Sequence, residues 1–460
     1  MTDMQNLWEA RVTVVGLGIE GIDLVRYLTS EGARVTVSDA RPPDQLVDQL
    51  AAIEDTGAHL SLGANRIEDC AEADAVFVSQ GVPAALPALR AAEAKGVPIS
   101  SMLELFLDRC PAPIAGITGS AGKTTTTSLV GAMLDASGQD HVVGGNIGVG
   151  LLSLLAHISP TTKVVVEMSH TQLSRVARSP ELACVTNVTP NHLDQFSWDD
   201  YVDLKRRVFK YQRAEDRAVF NYDDPVARSF MDEAPGRVFS TSRTQRIPGD
   251  GAMLDGERVV RIDGGTATTV LDRSGIRLRG EHNVENVLSA VAVAGLLGVS
   301  NEAAANAVRA FTGVPHRLEP VATIAGVQYV NDSIATAPER TLAGMHAFEE
   351  PLVLLLGGRD KNLPTRVLGE EAVRRCRAVI TFGEASDLYA TAIRSAEGGD
   401  RITLRQVANV PAAVEEAARL AQSGDVVLFS PAGTSFDAYR NFEARGAAFR
   451  EAVHLLGSRS

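Results

Sequence analysis

Cysteine is scarce in this chain: there are four in 460 residues, Cys70, Cys110, Cys184 and Cys376, and no two stand in CxxC spacing. That excludes a disulfide framework and a cysteine zinc site, and leaves free thiols in a reducing compartment as the expected state. Basic residues are also outnumbered, 44 Lys and Arg against 57 Asp and Glu, for a formal net charge of −13. A broad basic face for nucleic acid is excluded on that balance, and small-molecule ligands are expected instead. No apolar run reaches the roughly 18 residues of a membrane span. The first ten residues lack the basic stretch and apolar core of a secretory signal. The chain therefore reads as cytoplasmic, with no membrane partner and a monomer as the default state. Short-period repeats and long low-complexity tracts are missing too, which excludes solenoids and disordered tails.

What is present is an apolar chain, 45% hydrophobic, too long for one core. Short strands alternate with helical periodicity, and the alternation restarts twice. The first segment opens with a strand over Arg11 to Gly16, a helical pattern from Ile22 to Leu28 and a strand over Arg34 to Ser38. It ends near Pro111 and Pro113, since two prolines in three residues suit a linker. The second opens with Ile114 to Gly116, contains the strand Lys163 to Glu167 and the apolar run Leu182 to Val185, and closes after a helix over Val284 to Leu297. The third holds strands at Val327 to Val330, Leu352 to Leu356 and Asp425 to Phe429. The expected fold is α/β in three domains, 1–110, 111–313 and 314–460: Rossmann-like, phosphate-loop ATPase-like with a parallel sheet, and dinucleotide-fold-like. Segments around Pro111 to Pro113 and Thr312 to Gly313 are the expected hinges.

The most specific motif runs from Gly116 to Thr125, between a strand and a helical pattern over Ser128 to Leu134. Glycines let backbone N–H groups wrap phosphate oxygens, the helix N-terminus adds its dipole, Lys123 neutralises β/γ charge and Thr124 offers an oxygen to Mg²⁺. The spacing is a short form, Thr118-Gly-x-x-Gly-Lys-Thr124, whose bland alternative is a glycine-rich turn. Gly16, Gly18 and Gly21, with Asp39 ending the next strand, match the weaker dinucleotide fingerprint, and a tight turn is their bland reading. Glu20 inside it would be repelled by a diphosphate unless its side chain points away. Glu167 ends a strand, where an acid reaches Mg²⁺ in phosphate-loop proteins. His192 lies in a polar turn, and Lys205 by default is a solvated helix lysine. Asn331 to Ser333, Gly357 to Lys361 and Ser430 to Asp437 follow three strands in the third segment, and turn chemistry alone explains each one singly.

Together these motifs resemble the Mur ligases of peptidoglycan precursor synthesis across essentially the whole chain. The match rests on Thr118 to Thr125, Gly145 to Gly148, Glu167 to Ser169, His192 to Asp194, Lys205, Gly280 to Asn286, Pro315 to Arg317, Asn331 to Ser333 and Ser430 to Asp437. The resemblance is strongest to members that add D-glutamate to UDP-N-acetylmuramoyl-L-alanine. It implies that ATP phosphorylates the acceptor carboxylate and that the amine of glutamate displaces phosphate. It assigns catalysis to Lys123, Glu167, His192 and Lys205. ATP falls to Gly119, Ser120, Ala121, Gly122, Lys123, Thr124, Thr125, Asn286, Arg317 and Asp332. The UDP substrate falls to Gly18, Ile19, Asp39, Arg41, Gly81 and Asn146, and the amino acid to Thr336, Lys361, Ser435 and Phe442. Two Mg²⁺ ions are implied at Thr124, Glu167, His192 and a carbamylated Lys205. Departures from the pattern are Glu20 for a small hydroxyl residue, His170-Thr171 for Ser-Phe, Asn191 for aspartate and Ile334 for lysine; Arg359 is the nearby cation that could replace that last charge. L-Glutamate, another amino acid or another UDP-muramoyl acceptor stay open as substrates. An NAD(P) oxidoreductase or an inactive nucleotide-binding regulator are the rival classes.

Overall fold

The apolar runs are short, rich in valine and bounded by glycine or polar residues, so they suit strands buried on both faces of parallel sheets. In the computed structural model they form three sheets; the residues described are 7–145, 150–191, 196–278, 280–360 and 363–459. The first sheet contains β1 (Arg11–Val15), β2 (Arg34–Asp39), β3 (His59–Leu62), β4 (Ala75–Val78) and β5 (Ile99–Ser100) in the order β3-β2-β1-β4-β5. All its pairings are parallel. The order reverses at β1, so the crevice beyond its carboxyl end is the natural ligand position.

The second sheet contains β6 (Ile114–Thr118), β7 (His141–Gly145), β8 (Lys163–Glu167), β9 (Leu182–Val185), β10 (Arg217–Asn221), β11 (Arg237–Ser242), β12 (Gly251–Asp255), β13 (Arg258–Asp263) and β14 (Thr266–Asp272). Its order is β14-β13-β12-β11-β10-β9-β6-β8-β7, parallel from β7 through β12 and antiparallel in the last two pairings. The ribbon β12 to β14 was not expected from sequence. Most residues of β14 are exposed, which hides the apolar run that betrays a strand. The helix expected over Val284 to Leu297 runs from Glu281 to Leu296, and a second, Asn301–Ala310, follows it with Ser300 capping its start.

The third sheet holds β15 (Glu319–Ile324), β16 (Val327–Asn331), β17 (Leu352–Gly357), β18 (Cys376–Phe382), β19 (Thr403–Gln406) and β20 (Val426–Ala432), in the order β15-β16-β20-β17-β18-β19. Only β15 is antiparallel to its neighbour. One apolar cluster covers one face with Val353, Phe429 and Phe449, and another covers the opposite face with Leu354, Leu428 and Tyr389.

The chain divides into two compact units, residues 1–311 and 312–460. Within the first, a single buried cluster runs from Val14, Leu24 and Phe106 through Ala112 and Ile114 to Val166, Tyr201 and Phe220. The segment expected as a hinge, Pro111 to Pro113, passes beside that cluster. Ala112 is buried in that shared core, and Ile114 N–H donates to Glu181 Oε2 at 2.8 Å, so the segment is clamped where it crosses from sheet to sheet.

Candidate functional site

At the carboxyl end of β1, Gly16 has φ +89°, and a Cβ at Gly21 would lie 2.1 Å from Gly16 O. Those two glycines permit the turn and the close packing of the helix Ile19–Ser30. Among the described residues a Cβ at Gly18 would meet no atom within 4 Å, and Ile19 is 63% exposed, so a ligand can approach the loop. Asp39 is buried: Oδ2 accepts from Leu17 N–H at 2.8 Å, and Oδ1 accepts from Arg41 N–H and Nε at 2.9 and 3.0 Å. Burial alone would raise its carboxyl, but the bonds from Arg41 and Leu17 outweigh it and hold it below the usual range. Asp39 therefore braces the glycine loop. Gly81, with φ +85°, follows β4 on the same rim. Glu20 turns toward neighbouring amides: it accepts from Gln80 N–H at 2.9 Å, Gln80 Nε2 at 2.7 Å and Gln172 Nε2 at 2.9 Å. Asn146 lies outside the described residues.

In the second sheet β6 lies between β8 and β9, and the carboxyl ends of all three contribute. Gly122, φ +80°, opens the helix Lys123–Ser137, and a Cβ there would lie 2.1 Å from Asn286 Oδ1, which sets Asn286 against the loop. Lys123 Nζ curls back to Gly119 O at 2.8 Å and Ser120 O at 3.2 Å. Thr124 is buried in the first turn of that helix, with Thr125 beside it. The loop is bolted to the segment after β9: Ser120 N–H donates to Asn187 O and Ala121 N–H to Asn187 Oδ1, both at 2.9 Å, and Thr186 Oγ1 donates to Ala121 O at 2.6 Å. Asn187 was missed as a site residue; its position two past the apolar run ending at Val185 was the available signal. Glu167 pairs in register with Ile117 and is 1% exposed. A hydroxyl and a carboxylate are the hard oxygen donors Mg²⁺ takes, so Thr124 and Glu167 fit that ion.

Lys205 is no solvated helix lysine. It sits on the buried face of the helix Trp198–Lys210, 0% exposed, with Nζ donating to Gly119 O at 3.0 Å and Thr118 Oγ1 at 3.2 Å. Burial lowers its amine well below the ordinary lysine value, the charge on Lys123 lowers it further, and Glu167 opposes both. On the same helix, the hydroxyl of Tyr201 lies 3.0 Å from Ser120 Oγ. His192 lies outside the described residues. Among those described, no group of three or more His, Cys, Asp and Glu side chains is arranged to hold a metal.

In the second unit the three strand-end motifs converge on Arg445, a residue the sequence reading did not single out. It is 0% exposed and donates from Nε to Ser333 Oγ at 3.1 Å, from Nη2 to Ser333 O at 2.8 Å and from Nη1 to Gly433 O at 2.9 Å. A Cβ at Gly358 would stand 2.7 Å from Arg445 Nη1 and 2.1 Å from Thr434 O. Burial lowers this guanidinium to about 10. Asp332 is buried at the end of β16, accepting from Ser430 Oγ at 2.8 Å and Leu318 N–H at 3.2 Å. Burial outweighs those bonds and pushes its carboxyl up to about 6. Arg317 lies just before β15, and Ser435 is buried beyond β20. Phe442 O accepts from Ser333 Oγ at 2.8 Å, which ties it to the loop that continues to Thr336. Arg359 does not supply a free cation for Ile334: its guanidinium is paired with Glu384 at 2.8 and 3.0 Å. Lys361 lies outside the described residues. Among the described helices none is long and apolar enough to cross a membrane.

Three family descriptions match successive parts of the chain. They are Mur ligase MurD-like N-terminal domain over residues 10–101, Mur ligase middle domain over 117–294 and Mur ligase, glutamate ligase domain over 316–433. The UDP-N-acetylmuramoylalanine--D-glutamate ligase of Symbiobacterium thermophilum is 42% identical over 450 residues, covering 97% of this chain and 98% of that relative. The ligase of the same name from Acetivibrio thermocellus is 39% identical over 452 residues, covering 97% and 96%. Among solved structures, the UDP-N-acetylmuramate-alanine ligase MurC of Thermotoga maritima shares the fold at a TM-score of 0.56 and 18% identity, over 97% of this chain and all of that one.

Proposed function

This chain belongs to the Mur ligase family of ATP-dependent ligases, and we propose that it joins D-glutamate to UDP-N-acetylmuramoyl-L-alanine in the assembly of peptidoglycan precursors. In this reading residues 1–110 bind the UDP end of the acceptor, 111–313 bind ATP and 314–460 bind the amino acid. The acceptor carboxylate attacks the γ-phosphorus, the bond to the bridging oxygen of ADP breaks, and an acyl phosphate forms. The amine of glutamate then adds to the acyl carbon, a proton is lost, and inorganic phosphate leaves the tetrahedral intermediate.

The observation that carries this reading is Lys205. A buried amine bonded to Gly119 O, whose desolvation favours the neutral form, is suited to add to CO₂, giving a carbamate and one proton. The product is an anionic oxygen donor in place of a neutral amine. Thr124 and Glu167 would hold one Mg²⁺ with the ATP phosphates, and His192 with carbamylated Lys205 a second; these ions neutralise the charge that develops in phosphoryl transfer. Lys123 places its ammonium beside the same loop, Asn286 faces the adenine side, and Arg317 and Asp332 take the nucleotide's remaining polar groups. Gly18, Ile19, Gly81 and Asn146 line the diphosphate path, with Asp39 and Arg41 toward the uracil. Thr336, Lys361, Ser435 and Phe442 receive glutamate, whose carboxylates suit a cation and two hydroxyls.

The test is phosphate release from ATP with Mg²⁺ and UDP-N-acetylmuramoyl-L-alanine, with D- and L-glutamate supplied separately and the product weighed. Release dependent on D-glutamate, with a product heavier by one glutamyl residue, is expected. Dependence on L-glutamate alone would keep the chemistry and overturn the enantiomer, and no release with either would overturn the reading.

A further inference from the structure

The helix that begins at the open Gly18 turn carries two acids one turn apart, Glu20 and Asp23, which share a helix face. Both leave the layer of the first sheet. Besides its bonds to Gln80, Glu20 Oε1 accepts from Gln172 Nε2 at 2.9 Å, and Gln80 Oε1 in turn accepts from Thr171 Oγ1 at 3.1 Å. Asp23, 7% exposed, accepts from Leu152 N–H at 2.7 Å and Ser153 N–H at 3.0 Å, capping the turn Leu152–His157. A Cβ at Gly150 would stand 2.3 Å from Asp23 Cγ, so the approach leaves no room for a larger residue there.

The partners of these two acids flank one strand. Leu152 and Ser153 precede β8, while Thr171 and Gln172 follow Glu167, the residue that ends it. Gln172 is itself buried and fixed, its Oε1 accepting from Ser169 N–H in the capping box of the helix His170–Leu173. Burial raises the Asp23 carboxyl despite its two amide donors, so an acid stands here at an energetic cost that a solvated position would not impose. Glu20 and Thr171, two of the departures from the family pattern, thus lie at one junction.

We propose that Glu20 and Asp23 are positioning residues that hold the UDP-binding helix at a fixed separation from the strand bearing Glu167. The proposal rests on the ligase reading. A long acceptor is gripped at its nucleotide end and reacts at the far carboxylate, and remote binding energy lowers the barrier only if grip and reacting centre are rigid with respect to each other. The two acids supply that rigidity across the junction of the first two sheets. The same bonds give both carboxylate oxygens of Glu20 protein donors.

The test uses the full-length protein and the Glu20→Ala, Asp23→Ala and double variants. With the complete acceptor the double variant is expected to lose kcat by on the order of 10-fold to 100-fold, the scale set by a misplacement of about 1 Å. Its KM for ATP and for glutamate is expected to stay near that of the parent, and Glu20→Gln, which keeps one carbonyl acceptor, to recover part of the loss. With N-acetylmuramoyl-L-alanine lacking the nucleotide, parent and double variant should differ far less, because no grip is transmitted. An equal loss on both acceptors, or no loss on either, would overturn the proposal. Amide exchange on the same proteins needs no turnover: UDP alone should slow exchange at Leu152, Ser153 and Gln172 in the parent and not in the double variant. Persistence of that response in the double variant overturns the coupling, whereas a parent protein inert toward the complete acceptor overturns only the ligase reading.

Discussion

Among the described residues each unit buries one cation completely, Lys205 in the first and Arg445 in the second, and burial acts differently on the two. Lys205 has two neutral acceptors and a like charge nearby, and its amine falls well below the ordinary value, so neutrality is within reach. Arg445 has three neutral acceptors from two loops and is lowered only to about 10, so it stays charged at pH 7. An ammonium sheds its proton when desolvated, while a guanidinium keeps its charge and must be satisfied by hydrogen bonds. Burial therefore favours the neutral form of the nitrogen in one place and calls for a set of hydrogen bonds in the other.

Exchanging the two residue types would break this comparison most severely at position 205. Lys205→Arg is expected to lower turnover roughly a thousandfold, the scale of losing an electrostatic group in a dry site, with no recovery on added bicarbonate. A variant that keeps turnover in CO₂-free buffer would show that no carbamate is needed. At the other site, Arg445→Met leaves Ser333 O, Ser333 Oγ and Gly433 O without their donor, and a loss of roughly 3 kcal/mol in unfolding free energy is expected. Denaturant unfolding checks it, and an unchanged midpoint would remove Arg445 as the tie between these loops. Arg445→Lys should cost less, about 2 kcal/mol, because an ammonium reaches some of the three acceptors but loses the planar fork. It should also introduce a pH dependence that the parent lacks, read as a midpoint that shifts between pH 6 and 9.

Asp332 sharpens the contrast with a buried anion. Its folded carboxyl titrates near 6, above the unfolded value of about 3.9, so the folded state holds the proton more tightly. The stability this contributes is present below about pH 4 and is lost as pH rises toward 6, by on the order of 1 kcal/mol per pH unit inside that window. Asp332→Asn should flatten this slope in thermal unfolding measured from pH 4 to 7; an identical slope would mean that other groups produce it.

Much of the architecture was legible. Valine-rich runs at Arg11 to Gly16 and Lys163 to Glu167 became strands paired on both sides, and both glycine loops stand where strand meets helix, because turn geometry and apolar periodicity are local properties. The ribbon's last strand, β14, was not legible, since its exposed residues carry no apolar run. Of the candidate site, Lys123, Thr124 and Glu167 could be read from motif chemistry and strand position. Lys205 entered through the family resemblance, because a lysine on an amphipathic helix looks the same in sequence whether its tip meets water or a backbone carbonyl. Asn187 and Arg445 escaped because their partners are distant in sequence: Asn187 closes on Ala121, and Arg445 on Ser333.

Local order along the chain thus determined the α/β class, the places where phosphates can be gripped and the supply of oxygen donors for a divalent cation. Charge state and rigidity were settled by folding. Whether Glu20 repels a diphosphate or clasps Gln80 and Gln172, whether Lys205 is an ammonium or an amine, and whether Pro111 to Pro113 bends or is clamped all depend on what packs against them from far along the chain. Desolvation and hydrogen-bond geometry are properties of the assembled neighbourhood, and no single stretch of residues contains them.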